Sequence, residues 1–191
     1  MFSKNYWKSS ADKLKDVRYL ALIALMIAMK IVIGFVRIPV AENLRITLTY
    51  IIVAIEAIVT GPVCGLLSGF ITDNLSFMLF PDGAYFPGYT ITAMAGSFIY
   101  AILLYQKNIT IARITLAKLF NNYIINVLLG SLWSSMLYGK AYIVYFSTSL
   151  IKNTILLPIE IFLLVIVLNF TLPFLIKKNL VNRQDLPIPL K

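Results

Sequence analysis

Three acidic side chains, Glu56, Asp73 and Glu160, fall inside long apolar stretches of the 191-residue chain. An ionisable group in such a setting is costly unless it faces a partner, a cavity or water, so each is a functional candidate by default. Asp73 leads them. Asn74 and Ser76 follow it, and beyond them comes the loop Pro81-Asp82-Gly83-Ala84-Tyr85-Phe86-Pro87-Gly88-Tyr89-Thr90. A carboxylate there either meets a ligand or caps and pairs within a helix bundle, and the residues alone leave both open. Farther on, Lys118, Asn122, Asn126, Gly130 and Trp133 recur at spacings of four, four, four and three, which places them along one helix face. A polar stripe of this kind faces protein or water, not lipid. Asn126 offers donor and acceptor atoms to a flat heterocycle, and Trp133 offers either a stacking surface or an anchor at the membrane interface. Arg37 and Arg45, and Lys152 beside Asn153, add cations at the ends of apolar segments. A guanidinium grips a carboxylate with two parallel hydrogen bonds, although the same side chains also snorkel to lipid phosphates.

The missing residue types are as informative. The chain has no histidine, which excludes Ser/His/Asp and Cys/His nucleophile systems and histidine-containing metal sites. The single cysteine, Cys64, lies in an apolar stretch, so there is no disulfide framework and packing is its simplest role. No G-x-x-x-x-G-K-[ST] loop occurs; Gly139-Lys140 is followed by Ala141. The chain therefore does not hydrolyse ATP by the usual route. Its acids are isolated in sequence, unlike the clustered carboxylates with which membrane-embedded enzymes hold a metal-bound diphosphate. No cofactor and no metal are expected.

The elements that must position these residues are membrane helices. Hydrophobic residues make up 60% of the chain, against roughly 45–50% in a soluble domain, and the mean hydropathy is +0.85. A bilayer span needs roughly 20 apolar residues. Apolar segments at 17–36, 46–60, 62–80, 89–105, 111–137 and 148–176 predict an all-α bundle of six transmembrane helices, a single domain over 1–191 with tails at 1–16 and 177–191. The breaks carry turn chemistry: Pro39 and Asn43, Gly61-Pro62, Pro81-Asp82-Gly83, Gln106-Lys107-Asn108, and Tyr138-Gly139-Lys140. The first apolar run is too long for a removable signal peptide and lacks a small-residue cleavage site. The net charge of +9 is spread between apolar runs and forms no nucleic-acid patch. With the N-terminus inside, eleven Lys and Arg fall on the cytoplasmic side against four outside, so both termini are expected in the cytoplasm. In the first span Ala21, Ala24 and Ala28 share a face with small-xxx-small spacing, which lets a second helix approach closely, within the chain or from a partner.

Taken together, the sequence resembles the substrate-binding S components of energy-coupling factor transporters, and more narrowly the folate-specific ones. The likeness covers essentially the whole chain: six spans, cytoplasmic ends, the alanine motif and no ATPase of its own. The narrower match rests on Tyr85-Phe86-Pro87-Gly88-Tyr89-Thr90, on Arg113 to Lys118 followed by Asn126-Val127-Leu128-Leu129-Gly130-Ser131-Leu132-Trp133, and on Tyr138-Gly139 with Leu157-Pro158-Ile159. The resemblance implies a non-enzymatic membrane subunit in the bacterial cytoplasmic membrane that captures folate in an outward pocket. It also implies a transmembrane coupling subunit, docked on Ala21, Ala24 and Ala28, and two cytoplasmic ATPases. Asp73 would then accept the adjacent N–H donors of a pterin, with Asn74 or Asn126 on its remaining edge. Phe77, Tyr85, Phe86 and Trp133 would stack on the rings, and Arg37, Arg45 or Lys152 would take the glutamate carboxylates. Another vitamin, such as riboflavin, thiamine or a pyridoxine precursor, is the alternative within the same family.

Overall fold

The structure, a computed structural model, describes residues 4–35, 38–41, 44–81 and 84–190, without the side chains of 4, 38–41 and 44–46. Residues 13–15 form a tight turn after α1 (Lys4–Asp12), and α2 (Val17–Phe35) follows. Asp16 starts α2 by accepting the Arg18 N–H at 2.9 Å, which satisfies one of the free donors of a helix N-terminus. A short antiparallel pair comes next, β1 (Ile38–Ala41) and β2 (Leu44–Ile46), with Pro39 opposite Arg45. This hairpin occupies the expected first loop, and the following helix starts at 49 where the sequence put the apolar segment from 46.

The remaining elements are α3 (Thr49–Thr60), α4 (Pro62–Leu79), α5 (Pro87–Leu104), α6 (Ile111–Phe120), a π-helical stretch Asn121–Leu129, α7 (Gly130–Tyr138) and α8 (Tyr142–Lys177). Pro62 and Pro87 occupy the first helical position, where a missing N–H costs nothing. Thr110 caps α6 by accepting the Arg113 N–H. Gly139, at φ 75°, closes α7 in the left-handed region that glycine tolerates. The expected fifth span is thus continuous over 111–138 and changes its winding midway. The sixth is longer than expected: α8 has 36 residues, about 54 Å of helix at 1.5 Å per residue.

Four helices, α2, α4, α5 and α8, are long and apolar enough to cross a bilayer, and α3 is a shorter apolar helix. Large hydrophobic side chains stay uncovered along them: on α8, Ile151, Ile155, Ile159 and Phe162 are each more than half exposed at spacings of four, four and three. A continuous apolar face of that length needs lipid to cover it. The chain is membrane-embedded.

The interior is divided by depth. Where α3, α5 and α8 end and α6 begins, close to both chain termini, apolar side chains pack solidly: Ile58, Tyr100, Leu104, Ile109, Ile114, Leu164, Leu168 and Leu172 are all buried. The tails belong to this end. Ser10, on α1, donates to the Thr60 carbonyl at 3.0 Å and accepts from the N–H of Val63 at 3.0 Å, so the N-terminal segment caps α4. After α8 the chain folds back: the Pro189 and Leu190 carbonyls accept the Ile111 and Ala112 N–H groups, and Ile188 is buried in the core. The tails expected from the sequence are therefore packed parts of the fold. The opposite end, toward the hairpin, holds a cavity.

Candidate functional site

The cavity measures about 580 Å³, within the range of pockets that enclose a small molecule, and is walled by α2 to α8 and the α4–α5 loop. Close helix packing sets one wall. A Cβ on Gly69 of α4 would meet the Ala93 carbonyl oxygen of α5 at 2.8 Å, so only glycine allows these backbones to run so near.

Toward the hairpin the lining is aromatic. Phe77, Tyr85, Phe86, Tyr89 and Tyr138 all contribute. Phe77 and Tyr85 have ring centroids 5.1 Å apart, and Phe86 lies 5.7 Å from Trp133. A hydrogen-bonded chain ties this rim together: Thr90 donates to Asp73 Oδ2 at 2.6 Å, the Tyr85 hydroxyl lies 3.2 Å from the Thr90 hydroxyl, and Tyr85 donates to Asn74 Oδ1 at 3.1 Å. Trp133 Nε1 donates to Thr92 Oγ1 at 3.0 Å, and the Tyr89 hydroxyl pairs with Ser134.

Deeper in, the lining is polar. Asn121, Asn122 and Asn126, all on the π-helical stretch, line the same cavity. Asn122 Nδ2 donates to Glu160 Oε2 at 2.8 Å, and Lys118 Nζ lies 2.9 Å from the same oxygen and 3.8 Å from the Tyr50 ring centroid. A second buried pair joins three helices: Lys30 of α2 donates to Glu56 Oε2 of α3 at 2.7 Å and to Ser68 Oγ of α4 at 2.6 Å. Buried charges survive only when paired in this way. Several buried oxygens of lining residues find no protein partner: the hydroxyls of Tyr50, Thr72, Tyr100, Ser131 and Tyr145, and Asn122 Oδ1. No cluster of metal-ligating side chains occurs among the described residues.

Of the residues singled out from the sequence, Asp73, Phe77, Tyr85, Phe86, Asn126 and Lys152 line this one cavity. Asn74 and Trp133 do not; each braces a lining residue from behind. Arg37 lies outside the described residues, and of Arg45 only the backbone, paired with Pro39, is described. Ala21, Ala24 and Ala28 lie apart from the cavity on an exposed face of α2. Sequence reasoning gave no site role to Lys30, Tyr50, Tyr100 or Ser131, and it saw Lys118, Asn122, Glu56 and Glu160 without their pairings. The available signal was charge balance, two lysines and two glutamates inside apolar stretches.

Comparison with known proteins agrees with this geometry. The family model for "ECF transporter, substrate-specific component" matches residues 18–168. The chain is 35% identical over 149 residues to the folate transporter FolT of Clostridium novyi, covering 77% of this chain and 86% of that one. It is 28% identical to the folate transporter FolT of Leuconostoc mesenteroides, over 81% and 86% of the two chains. A crystal structure of FolT bound with folic acid superposes with a TM-score of 0.73 at 30% identity, covering 78% of this chain and 91% of that one.

Proposed function

This chain belongs to the substrate-specific components of ECF transporters, and from that premise we propose that its cavity captures folate at the outer face of the membrane. The observation that carries the reading is a 580 Å³ hollow with an aromatic rim and a hydrogen-bonding interior, in a chain similar to a FolT bound with folic acid. Flat rings stack on Phe77, Phe86 and Tyr85, and a polar heterocycle meets donors and acceptors deeper in. The chain is a transport component and not an enzyme.

Energy must come from elsewhere, because no phosphate-binding loop is present. The exposed Ala21, Ala24 and Ala28 face of α2 suits a transmembrane coupling subunit, which separate ATPases drive. The one domain spans the bilayer six times, counting α3 and the continuous 111–138 segment with the four longer helices. Both termini are cytoplasmic, supported by the eleven-to-four bias of Lys and Arg. The solid end of the bundle then faces the cytoplasm and the cavity opens outward, with Arg37, Arg45 and Lys152 available to the glutamate carboxylates.

Titration calorimetry tests this. The purified chain in detergent, without ATP, binds folate at one site in competition with no other vitamin. Stronger binding of riboflavin, thiamine or a pyridoxine precursor would replace folate as the ligand.

A further inference from the structure

The family match begins at residue 18, so α1 and the turn after it stand ahead of the part of the chain that the family model describes. This segment crosses the ends of α5, α3 and α4. Tyr6 donates its hydroxyl to the Ala101 carbonyl of α5 at 3.1 Å, and Lys13 donates to the Val59 carbonyl of α3. Between them Ser10 bridges the α3–α4 turn, donating to the Thr60 carbonyl and accepting the Val63 N–H, each at 3.0 Å. Gly61, the residue before α4, has no side chain with which to cap it, and Ser10 supplies that cap from another helix. A Cβ on Gly61 would meet Ser10 Oγ at 2.9 Å and the Tyr105 ring at 2.8 Å, so the turn is shaped to the segment that covers it.

Beneath this cover, Cys64 Sγ donates to the Ser10 carbonyl at 3.1 Å and is fully buried. Leu14 packs on a small apolar cluster in the seam between α2 and α4, made of Ile23, Ile27 and Cys64. One turn farther along α4, Ser68 accepts from Lys30 of α2, which lines the cavity, so a shift along this seam reaches the cavity wall.

The attachment opens cheaply. With nine residues α1 is too short to be a stable helix alone, and among its described side chains only Tyr6 and Ser10 are buried. A segment held by a few hydrogen bonds and little apolar area opens at a lower free energy than the whole protein unfolds. The main apolar cluster of α3, α5, α6 and α8 takes none of the described side chains of residues 5–15.

We propose that residues 4–15 form a releasable strap. Docked, it caps α4 and holds α2 against the α3–α4 turn; released, it frees the α2–α4 seam while the main core stays packed.

Cys64 is the single thiol of the chain and reports the release. The full chain in detergent is treated with N-ethylmaleimide and followed by intact mass, with hydrogen exchange read on the same sample. The wild type should label while its α5 amides from Tyr100 to Leu104 stay protected, as a local opening leaves the core intact. Ser10→Ala keeps the carbonyl that accepts the thiol and removes the cap, so it should label about tenfold faster. Tyr6→Phe, which deletes one hydroxyl, should label about threefold faster. Ser147→Ala, near the start of α8, should match the wild type. Wild-type labelling that proceeds only as the α5 amides exchange overturns the proposal, and that comparison does not depend on how well any variant folds. Equal rates for the wild type, Ser10→Ala and Tyr6→Phe, or an equal gain in Ser147→Ala, overturn it as well.

Discussion

Replacing Lys30 by Met isolates the worth of a charge pair at the cavity wall. Lys30 and Glu56 are 2% and 1% exposed, and their nitrogen and oxygen lie 2.7 Å apart, with the Ser68 hydroxyl also accepting from the lysine. Removing one member of such a pair strands the other, which costs about 3–5 kcal/mol. For a chain of this length, about 2–4 °C of melting temperature are lost per kcal/mol, so Lys30→Met should melt roughly 6–20 °C below the wild type. Glu56→Leu should lose a comparable amount. The double variant Lys30→Met/Glu56→Leu should recover most of the loss, because a well-packed apolar pair is often as stable as a buried ion pair, within about 1–4 kcal/mol. The assay is thermal unfolding of the four proteins in one detergent, read as a double-mutant cycle. Losses that simply add would refute the reasoning, since they would assign the stability to side-chain packing and none to the pairing of charge.

Other perturbations test separate parts of the account. Arg45→Ala should weaken folate far more than a pterin lacking the glutamate; equal losses in calorimetry would remove Arg45 from carboxylate binding. Gly69→Ala should cost about 1–3 kcal/mol in thermal unfolding by driving a methyl group into the α5 backbone, and an unchanged melt would contradict the 2.8 Å approach. Ala24→Trp should leave folate affinity of the isolated chain intact while abolishing co-purification with a coupling subunit. Docking of α1 should depend on pH: burial lowers the Lys13 ammonium to about 8 and pushes the Tyr6 hydroxyl up to about 12. Between pH 8 and 10 the released segment holds more protons at Lys13 than the docked one, so docking strengthens as pH rises; above 10 the released Tyr6 ionises first and docking weakens. Trp7 fluorescence in a Trp133→Phe background follows it, and a steady decline from pH 8 would contradict the sign.

Hydropathy is a local property, and for that reason the apolar segments and most of their ends could be read from the sequence. The exceptions have non-local causes. The hairpin depends on β1 and β2 finding each other across two residues, and the extra turns of α8 before residue 148 accompany the burial of Tyr145 in the bundle. Nothing in Asn121–Leu129 announces π winding, although the spacing of four between Asn122 and Asn126 already put both on one face. Asp73, Phe77, Tyr85 and Phe86 were legible because they cluster within one loop and the helix before it. Lys30 with Glu56 and Lys118 with Glu160 were not, since each pair joins residues far apart in sequence and only helix packing matches them. Ile188 falls in the expected C-terminal tail, yet it is buried in the core and donates its N–H to Asn169.

The central claim is that an engineless membrane bundle encloses a pocket shaped for one folate molecule. Native mass spectrometry of the full chain, gently purified and then supplied with folate, addresses it most directly. The account predicts a one-to-one folate adduct that survives without nucleotide; a spectrum containing only the bare chain at saturating folate would contradict it.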